Sequence, residues 1–227
     1  MKRHFEGDLG LIREKLILMA SLAVSNIELS IKTLVERDDK FVPEIYTQED
    51  KINSMHIEID NNCEESIALH QPMAKDLRLL VSALKISQEL ERIGDQAANI
   101  TQSALELIHQ PALKPLIDIP RMAEMVQNMV KDALESFIKE DSRLAREVLV
   151  RDDRIDDYKD QIFRELLTFM LQDVTCIPRA LQLILISRHL ERIADHSTNI
   201  AEDVVYLVEG KDIRHHLESK TERKTEG

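Results

Sequence analysis

The sequence has few of the residues that interrupt helices or favour strands. It contains 5 glycines and 6 prolines in 227 residues, only 4% of its residues are aromatic, and it has no tryptophan. Leucine, isoleucine, alanine, glutamate, lysine and arginine are abundant instead. This composition argues against a β-rich fold and predicts an all-α protein.

The sequence also lacks an excess of basic residues. Its 30 lysines and arginines face 42 aspartates and glutamates, which gives a formal net charge of −12. Sequence-independent binding of nucleic acids requires a basic surface, and adsorption to an anionic membrane requires clustered basic residues. We therefore expect a protein that binds no nucleic acid and that can hold cations.

Cysteines, a targeting signal and long apolar runs are also scarce. Cys63 and Cys176 are the only cysteines and form no Cys-x-x-Cys motif, which favours two buried thiols in a reducing compartment over a disulfide. No secretory signal is visible, because Glu6 and Asp8 follow the first basic residues closely. The longest apolar run, residues 16–25, is too short to span a bilayer. We expect a cytoplasmic protein without direct membrane insertion.

Two segments of the chain carry nearly the same eleven residues. LERIGDQAANI covers residues 90–100 and LERIADHSTNI covers residues 190–200, with seven of eleven positions identical. Such self-similarity at a fixed distance predicts an internal duplication. The rest of the chain can be interpreted as two halves, each presenting one copy.

The apolar periodicity predicts six helices in two groups of three. They cover about residues 8–37, 42–70, 73–109, 120–139, 142–171 and 175–208. Three prolines between residues 110 and 120 separate the groups, because no helix crosses three prolines. We therefore predict two similar tandem three-helix bundles; whether they stack end to end or side by side stays open. The predicted parts are a bundle, a Pro-rich linker, a second bundle and a polar, disordered tail over residues 1–110, 111–119, 120–210 and 211–227.

Each repeated segment contains the spacing Glu-x-x-x-Asp, in Glu91 with Asp95 and in Glu191 with Asp195. Residues four apart lie on one face of a helix, so the two carboxylates repel unless a cation, a metal ion or water neutralises them. Apolar residues share that face, so we expect the acids to be partly covered, where an unneutralised charge is costly. These apolar residues are Leu77, Leu80 and Leu84 in the first copy and Ile177, Ala180 and Ile184 in the second.

The preceding helix in each half is predicted to bring further oxygen atoms to these pairs. A short break makes the two helices antiparallel neighbours. Four oxygen-bearing side chains from two helices are a plausible site for a hard or borderline divalent or trivalent ion. Asn99 and Asn199, one turn further along, are candidates to hydrogen-bond the acids or to add a carbonyl ligand. The two predicted sets are Glu49, Asn53, Glu91 and Asp95, and Asp152, Asp156, Glu191 and Asp195.

Spacing alone leaves a second interpretation of these acids open. Arg92 and Arg192 are adjacent, and basic side chains or water could neutralise the acids without metal. A ferritin-like di-iron enzyme is disfavoured, because its Glu-x-x-His motif needs histidine where Gly94 and Ala194 stand. No nucleophile with a nearby base, P-loop, dinucleotide fingerprint or zinc-type Cys/His set is visible. We predict that the protein is not an enzyme.

The chain resembles the PhoU family. The resemblance rests on the two repeated segments, on the Gln71-Pro72 break followed by Asp76-Leu77-Arg78, and on Asp152 and Asp156, and it covers about residues 8–208. It implies a cytoplasmic, all-α, non-enzymatic regulator of phosphate uptake. Such proteins work with the ATPase subunit of the phosphate ABC transporter. In many bacteria they also work with a phosphate-sensing histidine kinase and help to keep the starvation response off.

The resemblance also implies metal ions or clusters on the paired acidic motifs. The second-half set matches the family pattern fully, whereas Asn53 replaces an expected aspartate in the first half, which predicts a weaker or lower-nuclearity first site. Iron, zinc, manganese and magnesium all remain candidates. We expect a homodimer or higher homo-oligomer. The alternative function is a metal-storage or metal-sensing bundle that is linked to phosphate only indirectly.

Overall fold

The computed structural model describes residues 2–214, with side chains from Phe5 onward. Over this range the chain forms six α-helices and one short 3-10 turn and contains no strand, which confirms the all-α prediction. Residue 1 and residues 215–227, and with them most of the predicted polar tail, lie outside the described residues. The elements are α1 (Lys2–Glu36), α2 (Val42–His70), α3 (Lys75–Ile108), α4 (Asp118–Lys139), α5 (Ser142–Gln172), the 3-10 turn (Val174–Cys176) and α6 (Ile177–Glu209).

Helix α1 begins earlier than its predicted start at Asp8. Its first turns pack against the end of α2, where the Phe5 ring lies 5.1 Å from the His70 ring and Asp8 Oδ2 lies 3.0 Å from His70 Nε2. Arg13 also donates a hydrogen bond of 2.8 Å to Glu140, just after α4. Tertiary contacts, rather than apolar periodicity, therefore extend the helix toward the N-terminus.

The breaks between helices lie at residues whose backbone conformation ends a helix. Gln71 adopts a left-handed conformation (φ 46°) immediately before Pro72 and caps α2. Gly210 (φ 69°) caps α6 by donating its N–H to the Tyr206 carbonyl. The Asp141 carboxylate accepts hydrogen bonds from two backbone N–H groups at the start of α5.

The two groups of three helices pack side by side. Helices α1–α3 contact one another, α4–α6 contact one another, and the groups meet where α3 packs against α6 and α1 against α4. The buried apolar side chains of both groups form one continuous core. The exact division of the chain at residues 111–119 stays a prediction.

Helices α3 and α6 lie at the centre, because each packs against both other helices of its group and the two form the more extensive contact between the groups. One apolar stripe of α3 is buried along its length, from Leu79 to Ile100. The second apolar stripe, which leads to the acidic pairs, is covered only in part. Leu80 is buried, but Leu77 is 38% exposed and Ile177 is 36% exposed. Full coverage of these two ends of the stripe is therefore not observed.

Helix α1 is the one described helix that is long and apolar enough, over residues 5–36, to cross a bilayer. Half of its most apolar window is buried inside the protein. Leu16, Met19 and Ile27 on this helix are fully buried, and α1 packs against α2, α3 and α4. Its apolar character is therefore accounted for by its place in the core.

Candidate metal centres

The second-half acids come together across the α5–α6 pair. Asp152 and Asp156 lie on α5, and Glu191 and Asp195 lie on α6. Burial, together with the charges of the other three acids, raises the pKa of Asp152 to about 6. Burial and the charge of Glu191 also raise the pKa of Asp195. The structure thus groups all four residues that the sequence predicts for this set.

A lysine bridges part of this second-half set. Lys159 Nζ lies 2.6 Å from Asp156 Oδ1 on its own helix and 3.1 Å from Glu191 Oε1 on α6. Hydrogen bonds to these two carboxylates hold the pKa of Lys159 well above its usual value. The ion-pair interpretation therefore holds for two of the four acids, through a lysine that the sequence pattern did not indicate.

The first-half acids come together in the equivalent way. Glu49 and Asn53 lie on α2, and Glu91 and Asp95 lie on α3. Burial raises the pKa of Glu49, and the charges of Asp95 and Glu91 add to the effect. Burial likewise raises the pKa of Glu91 and of Asp95. Asn53 Oδ1 is buried and accepts no hydrogen bond.

The first half has a histidine where the second half has Lys159. Aligned on the motifs, His56 corresponds to Lys159. Its Nδ1 lies 3.1 Å from Ser87 Oγ, and its Nε2 lies 3.6 Å from Asp60 Oδ2. In the described part of the chain, no lysine or arginine pairs with the first-half carboxylates. Their charge is therefore compensated less completely than that of the second-half set.

A polar network between the two halves lies next to both sets. Glu89, which is 9% exposed, accepts a hydrogen bond of 3.1 Å from Asn199 Nδ2 and lies 2.7 Å from His196 Nδ1. Burial on its own would raise the pKa of Glu89, but these contacts lower it below its usual value. The equivalent contact in the duplication is His189 Nδ1 with Gln96 Oε1, at 2.8 Å.

This network changes the interpretation of the two asparagines. The Asn199 amide is engaged by Glu89 of the other half, not by an acid of its own motif. The half-buried Asn99 has no equivalent bond among those described. Sequence reasoning missed Glu89, although a glutamate between the core residues Ile86 and Leu90 of α3 was a signal of a buried polar contact.

The donor atoms of both sets fit a hard or borderline cation. Each set supplies side-chain oxygens from two helices, and a cation would relieve the repulsion that raises the carboxyl pKa values. The buried, unpaired Asn53 Oδ1 is an oxygen that such an ion could satisfy. Between residues 5 and 214, no three His, Cys, Asp or Glu side chains are arranged to hold a metal ion.

A sequence model of the PhoU domain matches the chain twice, over residues 16–104 and 119–204. The chain belongs to the PhoU family. The two matches fall on the two halves, each ending after its Glu-x-x-x-Asp pair, and confirm the predicted duplication. The family resemblance stated from the repeated segments is thereby confirmed.

Curated relatives and solved structures agree with this assignment. Two relatives are named phosphate-specific transport system accessory protein PhoU homolog. The one from Aquifex aeolicus is 40% identical over 211 residues, covering 92% of this chain and 96% of its own. The one from Pseudomonas aeruginosa is 35% identical over 216 residues, covering 95% and 89%.

Two crystal structures of PhoU proteins share the fold. PhoU from Pseudomonas aeruginosa has a TM-score of 0.88 and 35% identity, covering 91% of this chain and 100% of that one. The phosphate transport system regulatory protein PhoU from Streptococcus pneumoniae has a TM-score of 0.84 and 27% identity, covering 92% and 98%. The six-helix tandem arrangement is therefore that of the PhoU family.

Proposed function

We propose that the chain is a non-enzymatic regulator of phosphate uptake that docks to the ATPase subunit of a phosphate ABC transporter. The observation that supports this most is the double PhoU-domain match, together with relatives named as accessory proteins of phosphate-specific transport. In this proposal the protein is cytoplasmic. Where a phosphate-sensing histidine kinase exists, the protein also docks to it and helps to keep the starvation response off.

Metal bound on the acidic sets has a structural role in this proposal. A cation would neutralise the partly buried carboxylates and tie α2 to α3 and α5 to α6. Glu49, Asn53, Glu91 and Asp95 would hold it in the first half, and Asp152, Asp156, Glu191 and Asp195 in the second. The raised pKa values of Asp152 and Asp195 support this role. So does the buried, unpaired Asn53 Oδ1.

A second candidate function is metal storage or sensing with only an indirect link to phosphate. It is favoured by the exposure of Asp156, which lets ions exchange with solvent. The Lys159 bridge argues against it, because a storage site that pairs its own acids with a lysine loses part of its capacity. The two functions differ in whether the metal-free protein binds the transporter ATPase.

The test is a binding titration with the purified transporter ATPase subunit. We expect the wild-type protein to bind it, and Asp195→Ala to bind it more weakly and to melt at a lower temperature. An ATPase subunit from a transporter of unrelated substrate is the control. Absence of binding by both metal-loaded and metal-free protein would contradict the proposal. Metal-free protein that binds at full strength would show that the metal is dispensable for docking and disfavour the storage alternative.

A further inference from the structure

One face of the α5–α6 hairpin exposes a row of large apolar side chains. Three of them recur every four residues on α5, and three more recur every four residues on α6, so each helix presents one apolar ridge. Their exposed fractions run from 36% to 78%. We call this surface the hairpin face, and it consists of Phe163, Leu167, Leu171, Val174, Ile177, Leu181 and Leu185.

The duplication shows that the bundle does not require apolar residues at three positions of this surface. Aligned on the motifs, Phe163 and Leu167 correspond to Asp60 and Glu64 in the first half, and Leu185 corresponds to Lys85. The first half folds in the same way with charged side chains at these positions. Exposed apolar residues that a sister copy replaces with charges point to an interaction surface rather than to packing.

In the first half, the chain itself covers part of the equivalent surface. Val81 and Lys85 of α3 line a small cavity whose other walls include Tyr206, Asp212 and Arg214. Lys85 Nζ also bonds to Asp203 of α6 at 2.7 Å. In the second half the side chains at the equivalent positions, Leu181 and Leu185, are 48% and 40% exposed.

Unpaired arginines lie at one end of the hairpin face. Phe163 of this face lines a pocket of about 310 Å³ together with Ile184 and Arg188, among others. Arg188 and Arg192 continue the exposed stripe of α6, and Arg164 lies on the outer side of α5. None of these three arginines forms an ion pair with a carboxylate in the described part of the chain. This is notable because acidic residues outnumber basic ones by 42 to 30.

The remaining charges at this end are already compensated or balanced. Lys159 is bound to Asp156 and Glu191. Asp160 lines the same pocket and is the acidic group that faces solvent there. The hairpin face therefore combines an apolar groove with a cationic end, and this pair of properties specifies the partner's chemistry.

We infer that the hairpin face binds an amphipathic helix of the partner whose apolar stripe fills the groove and whose acidic end lies over Arg188 and Arg192. Two parallel apolar ridges fit a helix with apolar residues at i, i+3 or i+4, and i+7. Such a helix would add a fourth helix to α4, α5 and α6. The inference rests on the proposed function, since the helix is assigned to the transporter ATPase subunit.

The first test exchanges the hairpin face for its sister sequence. The double variant Phe163→Asp/Leu167→Glu carries the residues that stand at the equivalent first-half positions, and both sites are exposed at 48% and 42%. The matched control, Leu11→Glu/Leu18→Glu, alters α1 residues that are exposed at 53% and 54%. In biolayer interferometry with the ATPase subunit, we expect the dissociation constant to rise about tenfold or more for the first variant. The control should bind as the wild type does.

The second test reverses the charge at the cationic end. Arg188→Glu should weaken binding of the same ATPase subunit about tenfold and should reduce its dependence on salt concentration. Arg154→Glu, at an exposed position of α5 outside the hairpin face, is the control. Arg188→Glu with unchanged affinity and salt dependence would overturn the charged part of the inference.

Three outcomes separate the possible failures. If wild-type protein binds the ATPase subunit and the Phe163→Asp/Leu167→Glu variant binds equally well, this inference fails while the proposed function stands. If the wild type does not bind, both fail. If sedimentation shows that the variant loses only self-association, a second copy of the chain covers the hairpin face and the inference is overturned.

Discussion

At the scale of single residues, the two halves neutralise their acids in different ways. In the second half Lys159 bridges Asp156 and Glu191, whereas in the first half His56 contacts Ser87 instead. Asn53 stands where the family resemblance implies an aspartate, so the first set has one negative charge fewer. The prediction that the first-half set binds metal more weakly rests only on this missing charge. Lys159 acts in the opposite direction, because a metal ion in the second half has to displace an ion pair.

Asp152 is the residue whose ionisation opposes folding most clearly. Its pKa is about 6 in the folded protein, raised by burial from 3.8, so the folded state binds this proton more readily than the unfolded state does. The stability that this gives is fully present below about pH 4 and is lost as the pH rises through about 6. At neutral pH the ionised carboxylate therefore destabilises the metal-free fold.

We expect Asp152→Asn to stabilise the metal-free protein at pH 7. Allowing for solvent screening of a partly exposed group, the free energy of unfolding should rise by about 1 to 2 kcal/mol. Its fall between pH 4 and 6 should become shallower than in the wild type. Urea unfolding at pH 4, 5, 6 and 7 measures both effects, with Asp157→Asn, at an exposed position of the same helix, as the control. Parallel pH curves for wild type and Asp152→Asn would contradict the assignment.

At the scale of helices, the close approach of α2 to α3 depends on Gly94. A Cβ atom added there would lie 3.2 Å from Ile52 Cδ1 and 3.4 Å from Ile52 Cγ2. Both are atoms of a side chain that can shift, not of the backbone. The equivalent position in α6 is Ala194, which is fully buried, so the same helix pair accepts a methyl group in the second half.

We therefore expect Gly94→Ala to raise the stability of the protein. Alanine is favoured over glycine inside a helix by about 1 kcal/mol, and a small movement of Ile52 offsets only part of this gain. Gly94→Leu should instead destabilise the fold by about 1 to 3 kcal/mol through overpacking. Thermal melting followed by circular dichroism compares the two variants with wild type. A lower melting temperature for Gly94→Ala would contradict this prediction and show that the Ile52 side chain cannot move away from the added methyl group.

The helices and the grouping of the acids were predictable from the sequence because both depend on local pattern. Helix α2 has its predicted bounds, Val42–His70. The acids of each half lie together because acidic residues four apart on two antiparallel neighbouring helices face each other. Contacts between the halves were not predictable in this way. The Glu89–His196 pair depends on the side-by-side packing of α3 and α6, and the pattern does not specify that packing. Lys159 was overlooked because a lysine three residues after an aspartate is typical of a solvated helix face.

At the scale of the whole molecule, the duplication builds one core and two diverged outer surfaces. Helices α3 and α6 meet at the centre, and each turns its acidic pair toward its own neighbour, α2 or α5. Three positions of the hairpin face, Phe163, Leu167 and Leu185, are apolar where the first half has charged residues. The common fold therefore supports two acidic sets, while the differences between the halves give the protein one surface suited to a partner helix.

The measurement that decides the metal assignment is elemental analysis of the purified protein, expressed as metal per chain. We expect bound iron, zinc, manganese or magnesium in the wild type, loss of the second-half metal in Asp152→Ala/Glu191→Ala, and a gain in Lys159→Met, where the competing ammonium group is removed. Circular dichroism confirms that each variant is folded. Wild-type protein that holds no metal after reconstitution with any of these ions would mean that the repeated acids serve ion pairs or a partner surface.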